Sequence, residues 1–275
     1  MLLVALGDQG PVWGRPSTLL VLNDLRRLTQ PETSTRLETA YYRFVTPRAV
    51  RHASFVVTIS EFSRNEIRRV LGAGIDARVV ADHPPPRVES PLGGVESGPF
   101  VIVSALRRYK GIETAIDALA LLPADARREL VLSGTDEGRA GELRRRARAR
   151  GVEDRVTFAG WLEDGRLRAL YERCLATVNP SSYEGYGLPV AESLSYGLPT
   201  IASEIPPHQE VAGDAALYFA PGDAQGLSQA MLRLSDPALR ASLAAAALDR
   251  SRELAGLGPK WADLIAEALE RAQSA

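Results

Sequence analysis

Short apolar runs alternate with segments of helical periodicity along most of the chain, and this alternation limits the fold more than any other feature. Strand-like runs lie at Phe100–Ala105, Leu130–Ser133, Val156–Phe158, Ala176–Pro180, Thr200–Ala202 and Leu217–Phe219. Helical segments lie at Ile112–Leu122, Gly138–Arg150, Asp164–Cys174, Pro189–Tyr196, Asp223–Ser235 and Pro237–Glu253. Strands that are apolar along their whole length are buried on both faces, as in a parallel sheet covered by helices. The pattern therefore predicts an α/β fold.

The first part of the chain contains fewer such units. Its predicted strands are Leu2–Leu6, Thr18–Leu22, Phe55–Ser60 and Arg78–Ala81, and its predicted helices are Thr35–Ala53 and Glu61–Leu71. A Pro/Gly-rich stretch over residues 82–94 has the composition of a linker. These observations predict a first domain over 1–95, a second over 96–256 and a C-terminal helical segment over 257–275.

Composition excludes several classes of protein. The 33 basic and 34 acidic residues leave a net charge of −1, which gives no general attraction to nucleic acid. No apolar run reaches the roughly 18 residues of a transmembrane helix. The basic run Arg139–Arg150 is interpreted as a solvated helix face, with a weak peripheral contact to a membrane surface as the alternative.

Cysteine and histidine usage points to a reducing compartment and away from metal. The single cysteine, Cys174, cannot form an intrachain disulfide, which fits the cytoplasm. Burial as a small apolar residue is favoured for Cys174 over a nucleophilic role. The three histidines, His52, His83 and His208, are scattered along the chain, so no metal site is predicted.

The loop after the strand Ala176–Pro180 has the features of an anion site. Gly185 and Gly187 allow the backbone to approach a ligand closely, and Pro189 suits the first turn of the following helix. Free N–H groups and the positive dipole end at a helix N-terminus favour phosphate. Ligands of parallel sheets bind at the carboxyl ends of the strands, where this loop lies. We therefore predict a phosphate-bearing ligand here.

Two glutamates flank the predicted phosphate site. Glu184 precedes the glycines, and Glu192 lies on the first turns of the helix. Carboxylates accept hydrogen bonds from hydroxyl groups, so a sugar at one end of the ligand and a ribose at the other would satisfy both. An ordinary solvated helix residue is the alternative interpretation for Glu192 taken alone.

The stretch Asn179–Ser203 resembles the hallmark of family 4 of the retaining glycosyltransferases, in the glycosyl transferases group 1. That hallmark is two glutamates separated by seven residues, with Gly-aromatic-Gly-Leu-Pro between them. The resemblance continues through Glu210–Phe219 and Pro221–Asp223. It implies the GT-B architecture, in which two Rossmann-like parallel-sheet domains face a cleft and the last helix crosses back to the first domain.

The resemblance also implies an activity. Such enzymes move a hexose, for which mannose is the first expectation, from a nucleotide diphosphate sugar to a glycan or polyprenol-linked acceptor with retention of configuration. They need neither a metal nor another cofactor. Related enzymes of bacterial polysaccharide biosynthesis imply a cytoplasmic location, peripheral at the inner face of the plasma membrane.

Roles at the donor site follow from the resemblance residue by residue. Glu184 is expected to contact hydroxyls of the transferred sugar, and Glu192 to hold the nucleotide ribose. Lys110 is expected to neutralise the leaving diphosphate, with Arg107 favoured over Arg108 as its partner. Backbone N–H groups expected to meet the diphosphate and sugar belong to Gly185, Tyr186, Gly187 and Leu188.

The nucleotide end of the donor is expected to lie along two further loops. Val156–Leu162 resembles the base-binding strand and turn of the family, with backbone groups near Trp161 and Leu162 at the base edge. The Trp161 side chain is interpreted equally as core packing or as a wall beside the base. Gly134 follows the second strand of its domain and is expected to line the nucleotide cleft.

The first domain departs from the family pattern in two respects. Asn23 stands where members commonly carry histidine near the reacting sugar, and it can donate a hydrogen bond but carries no positive charge. Asp24 beside it is interpreted either as a site residue or as a strand-end cap.

The second departure is that members normally have about three more strand–helix units before the first one seen here, so the N-terminal domain is expected to be incomplete. A mis-assigned start, a complementing chain at the open sheet edge and a homodimer through that edge are the three explanations. The alternative functions are a non-catalytic nucleotide-sugar-binding remnant or subunit, and an epimerase, against which the Gly-aromatic-Gly-Leu-Pro block argues.

Overall fold

Two compact units make up the chain in the computed structural model, which describes residues 2–7, 9–13, 17–80, 83–257 and 261–274. The first unit takes in the described residues of 1–82, 184–186 and 257–275, and the second takes in 83–183 and 187–256. Each unit contains one parallel sheet. The predicted α/β class is therefore confirmed.

The strands that the structure describes are β1 (Leu2–Leu6), β2 (Ser17–Val21), β3 (Phe55–Thr58), β4 (Ala77–Val79), β5 (Phe100–Val103), β6 (Leu130–Ser133), β7 (Val156–Gly160), β8 (Ala176–Asn179), β9 (Thr200–Ser203) and β10 (Leu217–Phe219). The helices are α1 (Arg26–Thr29), α2 (Arg36–His52), α3 (Glu61–Leu71), α4 (Ile112–Leu121), α5 (Ala140–Ala149), α6 (Asp164–Arg173), α7 (Leu188–Ser195), α8 (Pro206–Ala212), α9 (Ala224–Arg233), α10 (Pro237–Ala255) and α11 (Trp261–Ser274).

Most predicted elements are present, and two helices were missed. Helices α1 and α8 have four and seven residues, too few for a helical period to show in the sequence. The strand predicted at Phe100–Ala105 ends at Val103, because the chain then turns through a 3-10 segment at Arg108–Lys110.

The sheet of the first unit has the order β1-β2-β3-β4 and is buried on both faces along β2 and β3. Successive side chains of a strand point to opposite faces. Leu20 of β2 accordingly packs with Ala49 of α2 and Ile67 of α3. Leu19 and Val21 pack on the other face with Leu264 and Ala268 of α11.

Helices α2 and α3 begin at side-chain caps. The Thr35 hydroxyl accepts a hydrogen bond from the Glu38 N–H, and the Glu38 carboxylate accepts one from the Thr35 N–H, which is a capping box. The Ser60 hydroxyl accepts from the Ser63 N–H at 2.9 Å. Ser60 therefore caps α3.

The sheet of the second unit has the order β10-β9-β8-β5-β6-β7. Its larger core cluster joins strands β5 and β6 to helices α4, α5 and α9 through residues such as Ile102, Ile116 and Leu227. A smaller cluster on the other face contains Tyr171 and Cys174 of the α6 region, and burial raises the pKa of the Cys174 thiol to about 12. Cys174 is thus a buried thiol held in its neutral form.

The stretch predicted to be a linker packs along the second unit. The Arg87 N–H donates to the Ser195 carbonyl at 2.7 Å, and the Leu92 N–H donates to Tyr196 at 3.0 Å. The Val95 N–H donates to the Cys174 carbonyl at 3.0 Å. This stretch is therefore an ordered strap on α6 and α7 rather than a free tether.

Candidate functional site

Strands β5 and β8 are neighbours at the centre of the second sheet, and the chain leaves them in opposite directions. From β5 it continues to β6 and β7 on one side, and β8 leads to β9 and β10 on the other. Such a switch point leaves a crevice at the carboxyl ends of the two strands. The loops after β5 and β8 carry Lys110 and the Gly-Tyr-Gly segment that the sequence singled out.

Backbone contacts fasten these two loops together. The Ser182 N–H donates to the Tyr109 carbonyl at 2.7 Å. Gly111 has φ +63°, and a Cβ built there would lie 2.0 Å from the Pro180 carbonyl oxygen. Only glycine fits that position, and the close approach holds Lys110 at the end of β8.

Three basic side chains occupy the loop after β5. The Lys110 Nζ lies 5.2 Å from the centroid of the Tyr109 ring. Arg107 pairs with Glu137 at 3.0 Å, and Arg108 pairs with Glu142 at 3.5 Å. The hydrogen bond that Arg107 donates to Glu137 raises the pKa of Arg107, so this guanidinium stays charged at any physiological pH. The loop therefore carries three cations, two of which are paired with carboxylates of the second unit.

The loop after β6 lies against the loop after β5. Gly134 has φ +150°, and a Cβ there would lie 2.0 Å from the Ser104 carbonyl oxygen. The Leu106 N–H donates to the Thr135 carbonyl at 3.0 Å. Gly134 thus joins the same sheet edge as Lys110.

Trp161 follows β7, and its side chain is 72% exposed. That exposure rules out core packing, one of the two interpretations of this side chain. Leu162 beside it packs against the smaller core cluster, which anchors the turn. An exposed indole on an anchored turn offers a flat apolar face to a ligand or to solvent.

Helix α7 begins at Gly187 after the loop that follows β8. Gly187 has φ +100°, and Pro189 lies in the first turn, where its missing N–H costs no hydrogen bond. The Gly187 carbonyl accepts from the N–H groups of Val190 and Ala191 at 2.9 and 3.0 Å. The N–H groups of Gly187 and Leu188 lie at the positive end of this eight-residue helix, which suits an anion.

His208 lies against this turn, a contact that sequence reasoning missed. A Cβ on Gly187 would come within 3.0 Å of the His208 Cδ2 atom. The His208 Nδ1 is 3.0 Å from the Ser203 carbonyl, which only accepts, so Nδ1 carries the proton. The Ser203 hydroxyl donates to the Ser181 carbonyl and so links β9 to the loop after β8. The packing of His208 on Gly187 left no signal in the sequence, because the two residues are far apart along the chain and the spacing of the histidines bears only on metal binding.

Glu192 is a half-buried carboxylate on α7. Burial raises its pKa, Asp164 adds to the rise, and Arg87 opposes it. Glu192 in turn helps burial to raise the pKa of Tyr171, a fully buried phenol whose oxygen has no hydrogen-bond partner among the described residues. The cost of keeping Glu192 charged here exceeds that of a solvated helix residue.

Residues 184–186 cluster with the first unit. The Gly185 carbonyl accepts from the Ser60 hydroxyl, and it lies 3.0 Å from the Ser63 hydroxyl, which is also 2.9 Å from the Asn23 carbonyl. A Cβ on Gly185 would lie 2.9 Å from the Asp24 Cβ. The first unit therefore brings Asn23 beside the segment that carries Glu184.

Asp24 has the capping role that was one of its two interpretations. Its Oδ1 accepts from the Arg26 N–H at 2.8 Å and so satisfies a free amide at the start of α1. This contact explains an aspartate at a strand end without any ligand.

The basic run on α5 is largely neutralised by acidic neighbours. Arg146 and Arg150 both contact Asp117, the second at 2.9 Å, and Arg148 contacts Glu153 at 2.7 Å. Arg144 stacks over the Phe158 ring at 4.2 Å. This helix face therefore matches the solvated interpretation better than a surface for anionic lipid.

Across the described residues, no group of three or more His, Cys, Asp or Glu side chains is placed to hold a metal ion. The helices in the same ranges include none that combines the length and the apolar character needed to cross a membrane.

Known proteins similar to this chain are glycosyltransferases. The chain is 28% identical to O-antigen chain mannosyltransferase B of Escherichia coli over 84% of its own length and 65% of that protein. It is 30% identical to the serotype-specific mannosyltransferase WbdA of the same organism, over 79% of its length and 27% of that protein. The chain thus spans less than two thirds of either relative.

Among solved structures, sucrose-phosphate synthase from Thermosynechococcus elongatus superposes with a TM-score of 0.76 at 26% identity, covering 94% of this chain and 67% of that one. The chain has the GT-B fold of such enzymes, as predicted. The family described as "Glycosyl transferases group 1" matches residues 95–250, more than half of the 275 residues. The chain therefore belongs to the glycosyl transferases group 1.

Proposed function

We propose that the chain binds a nucleotide diphosphate sugar at the carboxyl edge of the second sheet and transfers its hexose to an acceptor hydroxyl with retention of configuration. The joining of the loops after β5 and β8 carries this proposal. The 2.7 Å hydrogen bond from Ser182 to Tyr109 and the close approach of Gly111 to Pro180 set Lys110 beside the loop that leads to α7. A cation and a helix N-terminus at one switch point match a diphosphate.

Lys110 and Arg107 would stabilise the charge that develops on the leaving diphosphate. In the transfer, the bond between the anomeric carbon and the diphosphate oxygen breaks, and the acceptor oxygen bonds to the same face of that carbon. The acceptor proton passes to the departing diphosphate. Fixed positive groups lower the free energy of this step because they face the charge before it forms. Since they neutralise the diphosphate, no divalent cation or other cofactor is required.

Arg107 would exchange its partner when the donor binds. Its guanidinium pairs with Glu137 at 3.0 Å, and a diphosphate offers stronger bidentate acceptors than one exposed carboxylate. Arg108 is more exposed and its pair with Glu142 is longer, at 3.5 Å, which supports Arg107 as the partner of Lys110.

The glutamates would position the two ends of the donor. Glu192 sits on the first turns of α7, where its half-buried carboxylate accepts from the ribose hydroxyls. Glu184 would accept from hydroxyls of the transferred sugar, with Asn23 nearby in the same unit. Amides of Gly185, Tyr186, Gly187 and Leu188 would meet the diphosphate and the sugar.

The base would lie toward β6 and β7. Gly134 packs so closely on the Ser104 carbonyl that a side chain would not fit there, and the backbone near Trp161 and Leu162 would meet the base edge. The exposed Trp161 ring would cover one face of the base.

Mannose is the proposed sugar, and a glycan or polyprenol-linked glycan is the proposed acceptor. Both relatives described above are named as mannosyltransferases, one of them of the O-antigen chain. On this proposal the chain acts in polysaccharide biosynthesis at the cytoplasmic face of the membrane.

A transfer assay tests the activity. The chain is incubated with nucleotide diphosphate hexoses and a set of glycan and polyprenol-linked acceptors, and NMR reads the anomeric configuration of the product. We expect an α-linked product from an α-linked donor. An inverted product would contradict the retaining mechanism. Tight nucleotide binding with neither transfer nor donor hydrolysis would instead establish the alternative, a non-catalytic nucleotide-sugar-binding subunit.

A further inference from the structure

His208 of α8 is a buried polar side chain with no part in the chemistry described above. It is 1% exposed to solvent. Its ring edge lies against Gly187, where a built Cβ would come within 3.0 Å of the His208 Cδ2 and 3.7 Å of its Nε2. The ring is therefore packed directly on the residue at which α7 begins.

Contacts with Ser203 fix the orientation of the His208 ring. Nδ1 carries the proton, because it lies 3.0 Å from the Ser203 carbonyl oxygen, which only accepts. The Ser203 hydroxyl is 3.1 Å from the same nitrogen and donates to the Ser181 carbonyl. Ser203 is fully buried, so water does not compete for these bonds. With Nδ1 held on this side, the opposite ring edge is turned to Gly187.

The conformation of Gly187 decides where the first amides of α7 point. Pro189 has no N–H, so the first turn offers an anion the amides of Gly187 and Leu188. Gly187 has φ +100° and ψ 47°, and a glycine leaves such a conformation at little cost. A neighbouring contact is needed to hold it, and the oriented ring of His208 is such a contact.

We propose that His208 is a positioning residue for the donor diphosphate. Its ring edge holds Gly187 so that the amides of Gly187 and Leu188 face the phosphates before the donor arrives. Donors that are already oriented bind more tightly, because less conformational freedom is lost on binding. This inference rests on the proposed function, since it needs a diphosphate at the start of α7, and His208 acts on that diphosphate only through Gly187.

Tyr218 offers a comparison, because its contacts to α8 are purely structural. Its hydroxyl donates to the Gly213 carbonyl at 2.7 Å and lies 3.3 Å from the His208 carbonyl, which ties β10 to the end of α8. Tyr218→Phe removes these bonds and leaves the His208 ring unchanged. It is therefore the matched control for a loss of stability near the site without loss of the ring.

Calorimetric titration of the full chain with two ligands tests the proposal. The ligands are a nucleoside diphosphate and the same nucleoside without phosphates, which lacks the groups that the α7 amides would bind. His208→Ala should lower the affinity for the diphosphate on the order of tenfold, about the contribution of one hydrogen bond to a charged group. Its affinity for the nucleoside should not change. Tyr218→Phe should lower the melting temperature and leave both affinities unchanged.

Two amide substitutions separate the ring contact from the bond to Ser203. Glutamine is long enough to place its amide against Gly187, where the ring edge lies. Asparagine reaches only the position of Nδ1, where it can donate to the Ser203 carbonyl. We expect His208→Gln to retain most of the diphosphate affinity and His208→Asn to retain little of it. This comparison also decides the question if His208→Ala does not fold.

Unchanged diphosphate affinity in His208→Ala, beside an unmodified chain that binds, would overturn the proposal and leave the proposed function standing. Equal losses for diphosphate and nucleoside, or retention by His208→Asn rather than His208→Gln, would give His208 a structural role and overturn the proposal as well. If the unmodified chain binds no nucleoside diphosphate, the proposed function itself fails and His208 has no diphosphate to position.

Discussion

Single residues at the switch point carry the geometry of the proposed donor site. Gly111 and Gly134 both have positive φ. A Cβ built at either position would lie 2.0 Å from a carbonyl oxygen. These contacts fix three loops at one sheet edge and explain why side-chain-free residues stand there. The sequence marked Gly134 from its place after a strand, but it gave no sign that Gly111 closes on Pro180.

Gly111→Ala should damage the second unit and the donor site together. The new methyl group would clash with the Pro180 carbonyl. The alanine would also have to adopt a left-handed backbone conformation, which alone costs about 1–3 kcal/mol. We expect a lower melting temperature and at least a tenfold loss of nucleotide affinity. Gly165→Ala in α6 is the matched control, because its Cβ meets no atom within 4 Å, and it should leave both quantities unchanged or raise the stability slightly.

Glu192→Gln should raise the stability of the chain and weaken nucleotide binding. Burial raises the pKa of Glu192 in the folded chain, so the folded state favours the protonated form. The charged carboxylate therefore costs stability as pH rises above its ordinary value of about 4.5. We expect the variant to be more stable than the unmodified chain at pH 7 and equally stable below pH 4.5, while binding nucleotide more weakly. A variant that loses stability at pH 7 and keeps its affinity would contradict both roles.

Among the secondary-structure elements, α11 shows how much of the fold the sequence encodes. The resemblance predicted that the C-terminal helical segment over 257–275 crosses back to the first domain, and residues 258–260 and 275 of that segment lie outside the described residues. Leu264 and Ala268, four residues apart, pack on Leu19 and Phe55 of the first sheet. The i, i+4 spacing was visible in the sequence, but the sheet that it covers was not.

Leu264→Ala should destabilise the first unit by about 2–5 kcal/mol, because it opens a cavity in a well-packed core. Leu269→Ala on the same helix is the control, since Leu269 is largely exposed, and it should change stability little. Chemical denaturation in a Trp161→Phe background, in which the remaining tryptophans Trp13 and Trp261 both belong to the first unit, measures the effect by fluorescence. Similar losses in the two variants would mean that α11 does not pack as described.

Elements that lack periodicity were harder to predict than α11. Helix α8 begins with Pro206 and Pro207, which read as a turn, and it has only seven residues. The sequence therefore gave no sign that His208 of this helix packs against Gly187. The stretch over residues 82–94 was predicted as a linker from composition, because the backbone hydrogen bonds of Arg87 and Leu92 to Ser195 and Tyr196 leave no sequence pattern. A long motif pointed to candidate site residues, whereas contacts between distant loops left no pattern in the sequence.

For the whole molecule, a near-zero net charge conceals an uneven distribution. Helix α5 carries arginines that acidic neighbours neutralise, and α2 carries arginines without such neighbours among the described residues. The ion pairs of Arg146, Arg148 and Arg150 therefore favour the solvated interpretation of Arg139–Arg150 over its alternative, a contact to a membrane surface. Composition gives the net charge of the chain, but it does not show which charged side chains form ion pairs.

Acid should weaken the second unit through His83. Burial, with a smaller effect of Arg250, lowers the pKa of His83 from 6.5 to about 4. A lowered pKa means that the unfolded state binds the proton more readily, so stability is complete above pH 6.5 and falls as pH drops toward 4. We expect the melting temperature to decline over this window and His83→Gln to flatten the decline. A decline of the same size in His83→Gln would assign it to other groups.

Calorimetric titration with nucleoside diphosphates tests the central claim, that the carboxyl edge of the second sheet binds the diphosphate of the donor. The unmodified chain is titrated with a panel covering the common bases, and the best ligand is then titrated into Lys110→Ala and into the control Arg148→Ala, an exposed arginine of α5. Lys110→Ala should lower the affinity at least tenfold, because a charge-assisted contact to phosphate is lost, and Arg148→Ala should not change it. If no nucleoside diphosphate binds, or if Lys110→Ala binds as tightly as the control, the proposed donor site is contradicted.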